Sequence, residues 1–159
     1  MSPQKKVEKK SLGSQEGLKY DEAWSFSEGL ALVRKYGIYG FVDKTGKEVI
    51  APKYDGAWSF AEGLARVRNY GKFGFVDKTG KEVIALEYDG AESFAEGLAL
   101  VGKGNKYGFV DKTGKEVIAP KYDYAWSFAE GLARVRKYGK FGFVDKTGNE
   151  VIALEYDEA

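Results

Sequence analysis

The stretch GLARVRNYGKFGFVDKTGKEVIALEYD, residues 63–89, alternates apolar and polar positions with period two, the repeat of a strand with one buried face. The alternation predicts strands at 64–68, 72–77 and 82–85. Between them lie Asn69-Tyr70-Gly71 and Lys78-Thr79-Gly80, loops short enough for hairpins closed by a type I turn and a left-handed Gly. The three strands then form an antiparallel meander. The segment that leads on to the next meander, residues 52–63 in its first full copy, breaks the alternation and is too long for a tight turn. It is expected to cross between meanders, with one helical turn at Trp58 to Glu62.

This pattern recurs. Gly40, Gly74, Gly108 and Gly142 each open the string GFVDKTG, a period of 34 residues without insertion or deletion. The units run 24–57, 58–91, 92–125 and 126–159, and the fragment LKYDEA at 18–23 matches the end of a preceding one. The expected fold is all-β: four tandem 34-residue units, each a three-stranded antiparallel meander, in one domain over residues 18–159. An open superhelical array and a closed, propeller-like ring both accommodate four uninterrupted units. A helical repeat of the same length does not, because the glycines and the β-branched and aromatic runs oppose helix. Residues 1–17 carry Lys5, Lys6, Lys9 and Lys10 among few apolar groups and read as a disordered basic tail.

Charge and composition narrow the function. Twenty-five Lys and Arg against 24 Asp and Glu leave a net charge of +1, so no overall field attracts nucleic acid or an anionic membrane. There is no Cys and no His, which removes disulfides, thiolate nucleophiles, imidazole bases and the usual zinc and haem ligands. No cofactor and no metal site is expected, and the chain reads as a non-enzyme. No apolar run approaches the roughly 20 residues of a membrane span, and the first residues lack the apolar core of a secretory signal. A soluble, cytoplasmic protein is the corresponding expectation.

Asp43-Lys44-Thr45-Gly46 shares its letters with the phosphorylated-aspartate motif of ion pumps. Four copies of a phosphoacceptor, each flanked by strands on both sides, make no chemical sense. The pairs Asp43 and Gly46, Asp77 and Gly80, Asp111 and Gly114, and Asp145 and Gly148 are read instead as turn residues. Each Asp accepts from the turn's own N–H groups, and each Gly supplies φ > 0. The Thr-Gly-Lys that follows is no phosphate loop, since Glu48 and a strand come next rather than Ser or Thr and a helix. In the connectors, Tyr and Phe are assigned to the core between units. Trp24, Trp58 and Trp126 are assigned to partly exposed positions open to a ligand, because the third unit has Glu92 there.

The string YGFVDKTGKEVIAPKYDGAWSFAEGLARV, residues 39–67, resembles the bacterial WG repeat: an aromatic-Gly pair, an Asp-x-x-Gly turn, a Val-Ile strand, Pro-x-Tyr-Asp and Phe-x-Glu-Gly-Leu-Ala-x-Val. The resemblance covers residues 20–159, with Tyr39, Phe73, Tyr107 and Phe141 where the namesake Trp would stand. It implies an all-β repeat array and no catalysis. The functional expectation is a scaffold for a protein partner. The alternatives are a polysaccharide-binding module using the connector aromatics, and an engineered consensus repeat without a ligand, since the second and fourth units differ at only 3 of 34 positions. Units also alternate: Leu32 and Leu100 go with Pro-Lys in the connector, Arg66 and Arg134 with Leu-Glu. This suggests a 68-residue period with Arg66 paired to Glu87 and Arg134 to Glu155.

Overall fold

The computed structural model describes Lys6–Val7 and residues 19–156, and among them every regular element is a strand. The first sheet has the order β1 (Lys6–Val7), β2 (Glu22–Trp24), β3 (Leu30–Lys35), β4 (Ile38–Asp43) and β5 (Glu48–Tyr54). The second is β6 (Gly56–Ala57), β7 (Leu64–Asn69), β8 (Lys72–Asp77) and β9 (Glu82–Tyr88). The third is β10 (Gly90–Ala91), β11 (Leu98–Lys103), β12 (Lys106–Asp111) and β13 (Glu116–Tyr122). The fourth is β14 (Tyr124–Ala125), β15 (Leu132–Lys137), β16 (Lys140–Asp145) and β17 (Glu150–Tyr156). All neighbours pair antiparallel in chain order, so each sheet is an uninterrupted meander.

Each unit therefore has four strands rather than three. The fourth is a two- or three-residue strand in the connector, such as Gly56–Ala57, whose partners are Arg68 and Val67. No helical turn forms at Trp58 to Glu62. Ala61 and Leu64 instead exchange backbone hydrogen bonds around Glu62-Gly63, whose φ values of 53° and 84° make a tight reversal. Of the tail, Lys6–Val7 adds a strand to the free edge of β2, and the rest of the disordered-tail reading lies outside the described residues.

The two hairpins of a unit close differently. Asn69 pairs directly with Lys72, which leaves a two-residue loop, Tyr70-Gly71, with φ of 51° and 77°. Two left-handed residues make a type I′ turn, whose twist matches the strands it joins, where the sequence suggested a longer type I loop. Asp55 braces it, accepting from the Tyr70 N–H at 2.8 Å. In the second hairpin, Asp77 Oδ1 accepts from the Thr79 N–H at 2.9 Å, the Thr79 hydroxyl at 2.6 Å and the Lys81 N–H at 3.1 Å, while Gly80 takes φ 91°. These bonds, the hydroxyl's foremost, hold the Asp77 carboxyl below its ordinary pKa. A Gly80→Val change is expected to destabilise by at least about 1 kcal/mol, and Asp77→Asn, which keeps an acceptor oxygen, to cost less than about half as much. Equilibrium denaturation of both variants is the measurement, and a costlier Asp77→Asn would overturn the ordering.

The core lies between successive sheets. Phe60 meets Phe41 edge-on at 4.9 Å, and Phe94 with Phe75 and Phe128 with Phe109 repeat the contact at 4.8 Å. Each is joined by Ile, Tyr, Ala and Val side chains from both sheets. Polar bonds cross the same seams: Tyr54, Tyr88 and Tyr122 donate to Glu82, Glu116 and Glu150 of the next unit. Burial and the adjoining carboxylates push these phenols up, Tyr122 to about 12. The array is open, because among the described residues its outer faces lack these partners. Phe26, the first connector phenylalanine, is 48% exposed, and Ile152 is 38% exposed although its equivalents Ile50, Ile84 and Ile118 are buried.

Candidate functional site

Each connector Trp stands on the aromatic ring that precedes Gly in its own unit. Trp24 lies 5.8 Å from Tyr39, Trp58 5.6 Å from Phe73 and Trp126 6.0 Å from Phe141. In the third unit Glu92 replaces the Trp, and Tyr107 stacks on Tyr124 instead, at 6.1 Å and 15°. The structure thus places all three tryptophans in equivalent positions at the end of the short connector strand. Trp24 and Trp58 are half-buried and Trp126 is exposed.

What stands over the Trp differs between units. The Arg66 guanidinium lies 4.0 Å from the Trp58 ring centre, and Arg134 lies 3.8 Å from that of Trp126. Arg66 is only 5% exposed, donates to the Ala91 carbonyl and meets Glu92 at 3.4 Å. Its ion partner is therefore Glu92 of the next connector rather than the Glu87 expected from the alternation. Burial pulls its pKa down, yet a guanidinium stays charged. In the first unit Leu32 occupies the Arg position, and the space between the first two sheets is left as a small cleft. Trp24, Leu32, Tyr39, Trp58, Asp55 and Arg68 line it.

Asp55 connects this cleft to a second feature that the sequence did not announce. One carboxylate oxygen binds Arg68 Nε at 2.9 Å inside the cleft, and the other holds the Tyr70 N–H of the type I′ turn. The Arg68 bond keeps Asp55 below the usual carboxylate range. Asp21 and Asp123 brace Tyr36 and Tyr138 in the same way, and Asp89 braces Gly104. Tyr36, Tyr70 and Tyr138 are 85, 93 and 84% exposed with left-handed backbone. An aromatic residue at φ > 0 in full solvent contact is uncommon. The only sequence signal was a Tyr in a slot where Asn-Gly is the ordinary choice.

The turn residues Asp43, Asp77, Asp111 and Asp145 stay apart from both features, each closed onto its own Thr hydroxyl. Among the described residues no group of three or more acidic side chains converges as metal ligands, and no helix is long and apolar enough to cross a membrane.

A family model for the WG containing repeat matches residues 18–37, 39–73, 73–107, 107–141 and 141–159. The chain belongs to the WG repeat family. No curated protein matches it significantly. Among solved structures it is similar to Kluyveromyces lactis Hsv2, at 10% identity and a TM-score of 0.48, covering 82% of this chain and 47% of that one. A form of Hsv2 with loop 6CD replaced by a Gly-Ser linker gives 10% identity and 0.49, covering 79% and 48%. A plant albumin from Cicer arietinum showing hemagglutination gives 14% and 0.32, covering 84% and 91%. The chain spans about half the length of Hsv2. In this WG chain the aromatic-Gly pair has a double function: the ring supports the connector Trp in the first, second and fourth units, and the Gly lets the last strand of the sheet cross close above it.

Proposed function

We propose that this WG array is a non-catalytic scaffold that binds a protein partner along the edge formed by the tyrosine turns and the adjoining tryptophan cleft. The observation that carries the reading is the bracing of Tyr36, Tyr70 and Tyr138 by connector aspartates, which holds three large rings in solvent at no gain to the core. Rigid, amphipathic tyrosines are what recognition surfaces use, since they add contact area with little loss of side-chain freedom. The absence of His and Cys from the sequence supports a non-catalytic role, as do turn carboxylates kept ionised by hydrogen bonds, the reverse of a general acid.

Peptides selected by display against the immobilised chain test this. They are expected to lose about tenfold or more in affinity, measured by calorimetry, for the combined variant Tyr36→Ser, Tyr70→Ser, Tyr138→Ser. Equal binding to the variant would sink the reading. A polysaccharide is the second reading, favoured by the open cleft between Trp24 and Trp58. Under it, soluble cell-wall oligosaccharides quench tryptophan emission of the parent chain and not of Trp58→Ala.

A further inference from the structure

The contact between successive sheets is made three times inside the chain, so it specifies what the two outer faces lack. Besides the paired phenylalanines, each contact seats an Ile against the turn Gly of the next unit. A Cβ on Gly80, Gly114 or Gly148 would lie 3.1, 3.4 and 3.2 Å from Ile50, Ile84 and Ile118, whereas one on Gly46 would meet nothing. Each contact also has a charged clamp. Glu28 accepts from the N–H groups of Glu62 and Gly63, both at 2.9 Å, and receives Lys78 at 3.7 Å. Glu62 and Glu96 do the same for the third and fourth units, with Lys112 and Lys146.

At the fourth unit Phe143 is partly uncovered, Ile152 is exposed, and the exposed Glu130 holds no such N–H pair among the described residues. At the first, Phe26, Gly46 and Lys44 are exposed, and no carboxylate stands before the N–H groups of Glu28 and Gly29 among the described residues. The two faces are the halves of the internal contact, complementary in shape and charge.

We propose that a second copy of this chain docks head to tail, so that Phe26 of one copy packs on Phe143 of the other, Ile152 covers Gly46, and Glu130 clamps the N–H pair and Lys44. Such an interface is heterologous: it closes into a ring if the rotation per copy allows and grows otherwise. The head already holds a fragment of a preceding unit, since Tyr20 donates to Glu48 at 2.6 Å as Tyr54 does to Glu82. The incoming copy therefore supplies its sheet as far as Ile152, and its β17 from Leu154 onward yields to that fragment. Lys6–Val7, paired along β2, lies on the edge that β16 of the incoming copy approaches and competes with it.

Sedimentation of the full chain over a range of concentration tests the docking. The average mass is expected to rise by about twofold or more with concentration. Phe26→Glu, which breaks only the head, and Ile152→Asp, which breaks only the tail, should each stay single copies. Mixed in equal amounts they should form a complex of two copies through the one intact head and tail. Both sites are exposed in the single chain, so far-UV circular dichroism is expected to match the parent. A parent that stays a single copy at every concentration overturns the proposal. So does association of either variant as strong as the parent's, or a mixture that remains single copies.

Discussion

Gly74→Ala is expected to destabilise the chain by about 3 kcal/mol, although it adds a single methyl group. The cause is backbone rather than side chain. Phe73 pairs with Tyr88 and Phe75 with Ile84, so one residue of β8 faces three of β9, and the longer strand arches over Gly74. A Cβ there would collide with the Ile84 carbonyl oxygen and lie 2.8 Å from the Leu86 nitrogen and 2.9 Å from the Ala85 carbonyl carbon. No rotamer relieves a clash with main chain, so the sheet must open at its bulge. Gly90→Ala is the control, because a Cβ there meets nothing within 4 Å and its φ is not positive. It should change stability by less than about 0.5 kcal/mol. Urea denaturation of the two variants decides the matter, and similar midpoints would remove the close approach as the reason for this Gly.

Arg66→Ala is expected to cost about 2 to 4 kcal/mol, more than a surface ion pair is worth. Three losses combine. The guanidinium leaves the Trp58 face, a contact worth about 1 to 2 kcal/mol when desolvated. The Ala91 carbonyl loses its donor, and a cavity opens between the second and third sheets. Glu92 adds little, since its side chain is 40% exposed and water replaces the Arg. Arg66→Leu, which copies the Leu32 environment, should therefore cost less than Arg66→Ala. A double-mutant cycle between Arg66→Leu and Glu87→Lys should be additive, because Arg66 meets Glu92. A loss below about 1 kcal/mol for Arg66→Ala would show that the stacked Arg is incidental.

The alternation over residues 64–85, the fourfold GFVDKTG and the Asp-x-x-Gly turns were enough to establish strands, register of repeats and the second hairpin. Those features are local: a period of two reports which face is buried, and an Asp three residues before a Gly closes its own turn. The type I′ turn was misjudged for an equally local reason, since Tyr70 gives no sign of φ > 0 and only the direct pairing of Asn69 with Lys72 shortens the loop.

The connector strand Gly56–Ala57 was beyond the sequence because two residues carry no periodicity, and they become a strand only when Val67 and Arg68 offer hydrogen bonds. The environment of Arg66 belongs to the tertiary structure too. A charged residue between Ala65 and Val67 reads as solvent-facing, and the next sheet, bringing Ala91 and Glu92 over it, turns that face inward. So does the candidate site: Asp55 reaches Arg68 and the Tyr70 turn across thirteen and fifteen residues, a convergence set by strand pairing. Four equal units determine that each sheet packs on the next. Whether the last returns to the first depends on a small rotation summed over three contacts, which no single unit encodes, and the uncovered Phe26 and Ile152 show that here it does not.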